Sequence, residues 1–123
     1  MTTPIKVLLA DDSDVARRAI RGLLEENPMI ELVGEAITFA QTIQMTNDLK
    51  PQVILMDVHM KDQATLAIED IKTQLNGRVV AMSIANDGET KALADSFGAV
   101  TLLDKAELVD ELIPTIEKLA SPD

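Results

Sequence analysis

The chain has 123 residues, enough for one domain with a core of its own, and 46% of them are hydrophobic, which argues against disorder. Eleven basic residues stand against twenty-one acidic ones, a net charge of −10 that disfavours binding to phosphate backbones. No cysteine and a single histidine, His59, exclude disulfides, thiol catalysis and multi-histidine zinc sites. Ile5–Ala10 is a nearly continuous apolar run that predicts a first strand, stopped by Asp11 and Asp12. Asp14–Glu26 then carries Val15, Ala19, Ile20, Leu23 and Leu24 at helical spacing. Ile30–Val33, opened by Asn27-Pro28 and closed by Gly34, predicts a second strand, and Ala40–Leu49 a second helix through Ile43, Met45 and Leu49. Val53–Met56 is the third strand, between Lys50-Pro51 and Asp57. Ala64–Leu75 reads as a helix through Leu66, Ala67, Ile68, Ile71 and Leu75. Val79–Met82 follows Asn76-Gly77 and ends at Ser83. Glu89–Phe97 reads as the fourth helix, and Val100–Leu103 as the fifth strand, between Gly98 and Asp104-Lys105. Leu108–Leu119 is the last helix, apolar at Leu108, Val109, Leu112, Ile113, Ile116 and Leu119, with Pro114 inside it expected to kink it or shift its start.

The strand runs are continuous rather than alternating, as in strands covered on both faces. Their (βα)₅ order, with right-handed crossovers, predicts an α/β doubly wound five-stranded parallel sheet with helices on both sides. Residues 1–120 read as one domain, and Ser121-Pro122-Asp123 as a tail or the start of a linker. No apolar run approaches the ~20 residues of a membrane span. The opening Met-Thr-Thr-Pro-Ile-Lys lacks the blocks of a signal peptide, so the expected location is cytoplasmic. Two phenylalanines are the only aromatic residues, which leaves few platforms for a flat cofactor.

In open α/β sheets the site lies beyond the carboxyl ends of the strands. The residues there are Asp11 and Asp12 after the first run, Asp57 after the third, Ser83 after the fourth and Lys105 after the fifth. The second run ends in Gly34-Glu35, which adds no expected function. Two carboxylates ~4 Å apart repel by about 4 kcal/mol at an effective dielectric of 20. A cation or protons must offset that. All-oxygen donors suit a hard cation, Mg²⁺ being the simplest fit. With Lys105 alongside, the cluster suits a phosphate-like oxyanion, and one carboxylate as nucleophile would form an aspartyl phosphate. Taken singly, these residues have plainer readings: Asp11, Asp12 and Ser13 as helix caps, Ser83 as a turn former, Lys105 as a solvated charge. Their joint placement on one rim favours the site. Met56 and Met82 read as core fillers, and Glu107, Asp110, Glu111 and Glu117 as a solvated face.

The segments Val7-Leu-Leu-Ala-Asp-Asp-Ser13, Pro51-Gln-Val-Ile-Leu-Met-Asp-Val-His-Met60 and Gly98-Ala-Val-Thr-Leu-Leu-Asp-Lys105, in this order, resemble the receiver domain of bacterial response regulators, the CheY-like fold. Ile30-Glu-Leu-Val-Gly-Glu-Ala36 resembles receivers of the NarL/FixJ type. The resemblance implies a strand order of 2-1-3-4-5. It implies Asp57 as phosphoacceptor, Ser83 and Lys105 as phosphoryl contacts, and Mg²⁺ held by Asp12, Asp57 and the His59 backbone carbonyl, with Asp11 acting through water. It implies a histidine kinase or phosphotransfer protein as donor, and a partner protein or output domain at a surface spanning residues 87–119, with homodimerisation open. Neither direct nucleic-acid binding nor membrane attachment is expected of the domain, nor enzyme activity beyond its own phosphorylation and dephosphorylation.

Three positions depart from the family pattern. Leu102 stands where an aromatic switch residue is usual, leaving Phe97 as the nearest aromatic. Ala106 follows the lysine in place of proline. The loop after Asp57 reads His59-Met60-Lys61-Asp62-Gln63, without proline or glycine. His59 and Ala85 flank the site. A docking module that no longer switches, or the regulatory domain of a DNA-binding regulator, are the alternative readings. A Mg²⁺-dependent phosphatase is weaker, since His59 stands where that mechanism wants a second acid.

Overall fold

The computed structural model describes residues 3–62, 67–75, 77–84 and 87–120. The expected start of the third helix at Ala64, together with Gln63, Leu66, Asn76, Ala85 and the tail at 121–123, lies outside the described residues. Five strands, β1 (Ile5–Ala10), β2 (Ile30–Ala36), β3 (Val53–Asp57), β4 (Arg78–Ser83) and β5 (Thr101–Asp104), form one parallel sheet in the order 2-1-3-4-5. The helices are α1 (Asp14–Glu25), α2 (Phe39–Leu49), α3 (Ile68–Gln74), α4 (Gly88–Ser96) and α5 (Leu108–Ala120), with a 3₁₀ turn at Lys105–Glu107 leading into α5. The fold class read from the sequence and the strand order implied by the resemblance are those observed.

Alternate residues of each strand feed two separate cores, as a period-two pleat requires. Val7, Leu9, Val53, Leu55, Val80, Met82 and Leu103 pack under α1 (Ile20, Leu24) and α5 (Leu108, Leu112, Ile116). Leu8, Ala10, Ile54, Met56, Val79 and Ala81 pack under α2, α3 and α4 through Phe39, Ile71, Ala94 and Phe97. Both strand faces are therefore buried, which explains the unbroken apolar runs. Met56 and Met82 are fully buried, as expected of core fillers.

Among the described residues, four apolar positions of the helical patterns, Val15, Ala19, Ala67 and Val109, are exposed rather than core. Val15 and Val109 are each 76% exposed. Val15 lies about 140° around α1 from Ile20, and Val109 about 100° around α5 from Leu108, outside the single stripe each helix buries. Pro114 is carried inside α5 without ending it or moving its start from Leu108. It sits on the exposed side, where the Asp110 carbonyl that loses its usual helical partner lies on a solvated face.

The second strand is longer than its apolar run. It continues to Ala36 along β1, with a register slip between Val7 and Leu8 that leaves Val33 as an extra residue. Gly34 makes room there: a Cβ at that position would stand 2.9 Å from Leu49 Cδ1 of α2. Gly98 closes α4 at φ +79°, donating to the Asp95 carbonyl at 3.0 Å, so the chain can turn into β5.

Candidate functional site

Each site residue is positioned by the end of a strand. Asp11 follows β1, and its N–H donates to the Ala36 carbonyl of β2 at 3.0 Å. Asp57 is the last residue of β3, Ser83 the last of β4, and Lys105 opens the turn after β5. Parallel strands in register bring these ends to one edge: Asp57 pairs with Met82, and Ser83 with Asp104. Asp12, Asp57, His59, Ser83 and Lys105 line one cleft of about 620 Å³. Val15 and Ile84, 76% and 83% exposed, form apolar parts of its rim.

Asp11, Asp12 and Asp57 each present a carboxylate oxygen, and the three oxygens lie within 4.8 Å of one another. Asp11 is sealed from solvent and Asp57 is buried. Lys105 Nζ lies 2.6 Å from Asp11 Oδ2 and 3.4 Å from Asp57 Oδ2. The Asp11 oxygen has the lysine's charge beside it but no well-aligned hydrogen bond. A buried carboxylate oxygen left in that condition, next to two more carboxylates, suits a hard cation with oxygen ligands.

The charges are shifted by this crowding. Burial pushes the Asp57 carboxyl above the ordinary range; the His59 N–H, which donates to Oδ1 at 3.0 Å, and the Lys105 charge oppose it, and Asp11 adds to it. Burial alone would lower the Lys105 ammonium, but Asp11 and Asp57 outweigh burial and hold it above the usual lysine range. The helix-cap reading holds for one residue: the Ser13 hydroxyl accepts from Ala16 N–H, while Asp11 Oδ1 accepts from Ser13 N–H at 2.9 Å. The His59 ring is exposed and belongs to the rim.

Three residues that sequence reasoning passed over connect to this edge. Arg17 of α1 donates from Nη1 to the Asp11 carbonyl at 2.7 Å, pairs with Asp14 through Nη2, and sets Nε 3.4 Å from Glu35 Oε1. Glu35 accepts a two-pronged contact from Arg21 at 2.7 and 2.8 Å. Those hydrogen bonds hold its carboxyl below the usual range against the opposing effect of burial. Asp62, in the loop after Asp57, accepts from Phe39 N–H at 2.8 Å and Ala40 N–H at 3.0 Å, so that loop is tied to the start of α2. The glycine inside β2 was the one signal for Glu35, since a strand glycine marks a bulge that re-aims the residues after it. Phe97 stacks on Phe39 with ring centroids 5.1 Å apart in the core under α2 and α4. Leu102, on β5, is partly buried and lines a cavity of about 300 Å³ with Lys91, Ala94 and Val100.

Comparison with known proteins bears on this geometry. The family model of the response regulator receiver domain matches residues 7–117. A protein-glutamate methylesterase/protein-glutamine glutaminase of Methanococcoides burtonii is 37% identical over 88% of this chain and 32% of its own length. The nitrate/nitrite response regulator protein NarL of Escherichia coli is 31% identical over 96% of this chain and 56% of its own. The chain thus spans a third to just over half of these relatives. The response regulator domain of Thermotoga maritima CheB superposes with a TM-score of 0.83 at 24% identity, covering 98% of both chains.

Proposed function

The chain belongs to the response regulator receiver domain family of two-component signalling, and from that premise we propose that it accepts a phosphoryl group on Asp57 from a histidine kinase or phosphotransfer protein. The observation that carries this reading is the convergence of Asp11, Asp12 and Asp57 with Lys105 at one edge of the sheet. A carboxylate oxygen of Asp57 attacks the phosphorus, an O–P bond forms, and the donor's P–N bond breaks with its electron pair going to the imidazole nitrogen. Asp12, Asp57 and the His59 carbonyl would hold Mg²⁺, with Asp11 acting through water, and such an ion would supply charge neutralisation for the phosphoryl oxygens. Lys105 turns from Asp11 toward those oxygens, and Ser83 donates its hydroxyl to one of them. Water later splits the acyl phosphate and restores the carboxylate.

The output of this reading is a contact surface spanning residues 87–119, offered to a partner protein or to an output domain. Its switch differs from the usual one: Leu102 has no ring to turn, and Phe97 is stacked in the core. Phosphoryl labelling from acetyl phosphate with Mg²⁺ tests the assignment. Wild type is expected to label and to release the phosphate to hydroxylamine, as an acyl phosphate does. Asp57→Ala is expected not to label; undiminished labelling of that variant would move the acceptor elsewhere. Amide spectra with beryllofluoride test the output: shifts are expected from Asp57 through Ser83 to Leu102 and Leu108. Shifts confined to the cleft would favour the docking module over the switch.

A further inference from the structure

Beyond the residues that line the cleft, we propose that Arg17, oriented by Glu35, is a positioning residue for the acidic cluster. By holding the Asp11 carbonyl, it fixes the backbone from which Asp11 and Asp12 present their carboxylates toward Asp57. The inference rests on the Mg²⁺-binding reading above.

Arg17 has only 13% of its side chain exposed. A guanidinium so far from water needs acceptors, and this one has three: the Asp11 carbonyl, Asp14 and Glu35. A 2.7 Å hydrogen bond ties it to the backbone of Asp11. The same residue's Oδ1 accepts from Ser13 N–H, so the orientation of Asp11 also sets the turn through Asp12. Glu35 reaches Arg17 through the β2 irregularity: without the extra Val33, the alternation along β2 would point Glu35 at the opposite face of the sheet, toward α2. The chain of contacts runs from the bulge through Glu35 and Arg17 to the Asp11 carbonyl.

The sign of the charge makes the proposal testable. A guanidinium near a cation site opposes the cation by simple Coulomb repulsion. If charge alone mattered, removing Arg17 would tighten Mg²⁺ binding. If Arg17 positions the loop, removing it weakens binding, by roughly tenfold for an outer-sphere support of this kind.

The experiment is a titration of the full chain with MgCl₂, followed by amide shifts, for wild type, Arg17→Met, Arg17→Lys and Arg18→Met. Arg17→Lys keeps the charge but cannot reach three acceptors at once, and is expected to bind Mg²⁺ several-fold more weakly. Arg18→Met removes the same charge from an exposed position on the same helix, and is expected to bind as well as wild type or better. Glu35→Gln is expected to weaken binding in wild type and to add nothing in Arg17→Met. Tighter binding by Arg17→Met, or unchanged binding by Arg17→Lys, overturns the role of Arg17. Additive losses overturn the role of Glu35. If Arg17→Met fails to fold, Arg17→Lys decides. If wild type itself binds no Mg²⁺, the functional reading falls. Hydrogen exchange at the Asp12 and Ser13 amides then decides: faster exchange in Arg17→Lys supports the anchor, and unchanged exchange overturns it.

Discussion

Replacing Asp57 by asparagine should make the metal-free protein more stable. The carboxylate of Asp57 is buried, and the acidic oxygens of Asp11 and Asp12 lie within 4.8 Å of it. At an effective dielectric of 20, each such neighbour repels it by about 3.5 kcal/mol, while Lys105 at 3.4 Å attracts it by about 5 kcal/mol. The two repulsions exceed the attraction by about 2 kcal/mol, and burial adds to the penalty on the charged form. Asparagine keeps the shape and an acceptor for His59 N–H without the charge. The expected gain is about 2 kcal/mol where the folded carboxyl is charged, or roughly 8 °C in Tm for a chain of this size. The pH dependence has a definite sign. The folded carboxyl titrates above its unfolded value, so the native state keeps a proton that the unfolded chain has released. Stability from this group is greatest below the unfolded value and is lost as pH rises through the folded one. The advantage of Asp57→Asn therefore opens as pH rises through that window. Added Mg²⁺ should shrink it, because only the wild type keeps the full donor set to recruit the ion. Urea denaturation in EDTA across the acidic range, for both proteins, is the assay. A variant no more stable than wild type, or an advantage that does not change with pH, would refute the electrostatic account.

Phe97→Ala should cost about 3–5 kcal/mol in urea denaturation, since it empties a fully enclosed site and breaks the stack on Phe39; a cost under about 1 kcal/mol would show that the core closes over the gap. Asp62→Ala should cost about 1 kcal/mol and speed hydrogen exchange at Phe39 and Ala40, whose N–H groups it leaves without their side-chain acceptor. Glu35, held below the usual carboxylate range, contributes stability that is present above its unfolded value and lost as pH falls through its folded one. Arg21→Met should move the Glu35 titration upward in a carboxyl carbon NMR series, and an unmoved midpoint would show that Arg17 alone sets it.

Much of the fold was legible because burial on both faces writes itself into sequence as unbroken apolar runs. Five such runs alternating with helical spacing leave few topologies once right-handed crossovers are required. The edge residues were legible for a related reason: a polar residue that ends a buried strand must sit where the sheet opens to water. The misreadings have physical causes too. Val15 and Val109 match helical spacing in one dimension, but a helix on a sheet buries only one stripe, and which stripe depends on where its neighbours lie. Glu35 looked inert because the face it occupies is set by a register slip against β1, and pairing between strands is not visible within either strand. Nothing local marks Asp62, because the amides it caps lie 22 and 23 residues away.

The sequence by itself determined the alternation of strands and helices, the two-faced burial of the sheet, and which polar residues stand at strand ends, since each follows from local patterns of apolar and polar side chains. Only the tertiary structure decided that Lys105 rests closer to Asp11 than to Asp57, that Phe97 is locked against Phe39, and that Arg17 and Glu35 stand behind the acidic cluster. The lysine and phenylalanine contacts join elements far apart in the chain, and the Arg17–Glu35 contact needs the register slip of β2. They depend on strand register and helix placement, which the packing of the whole domain sets at once.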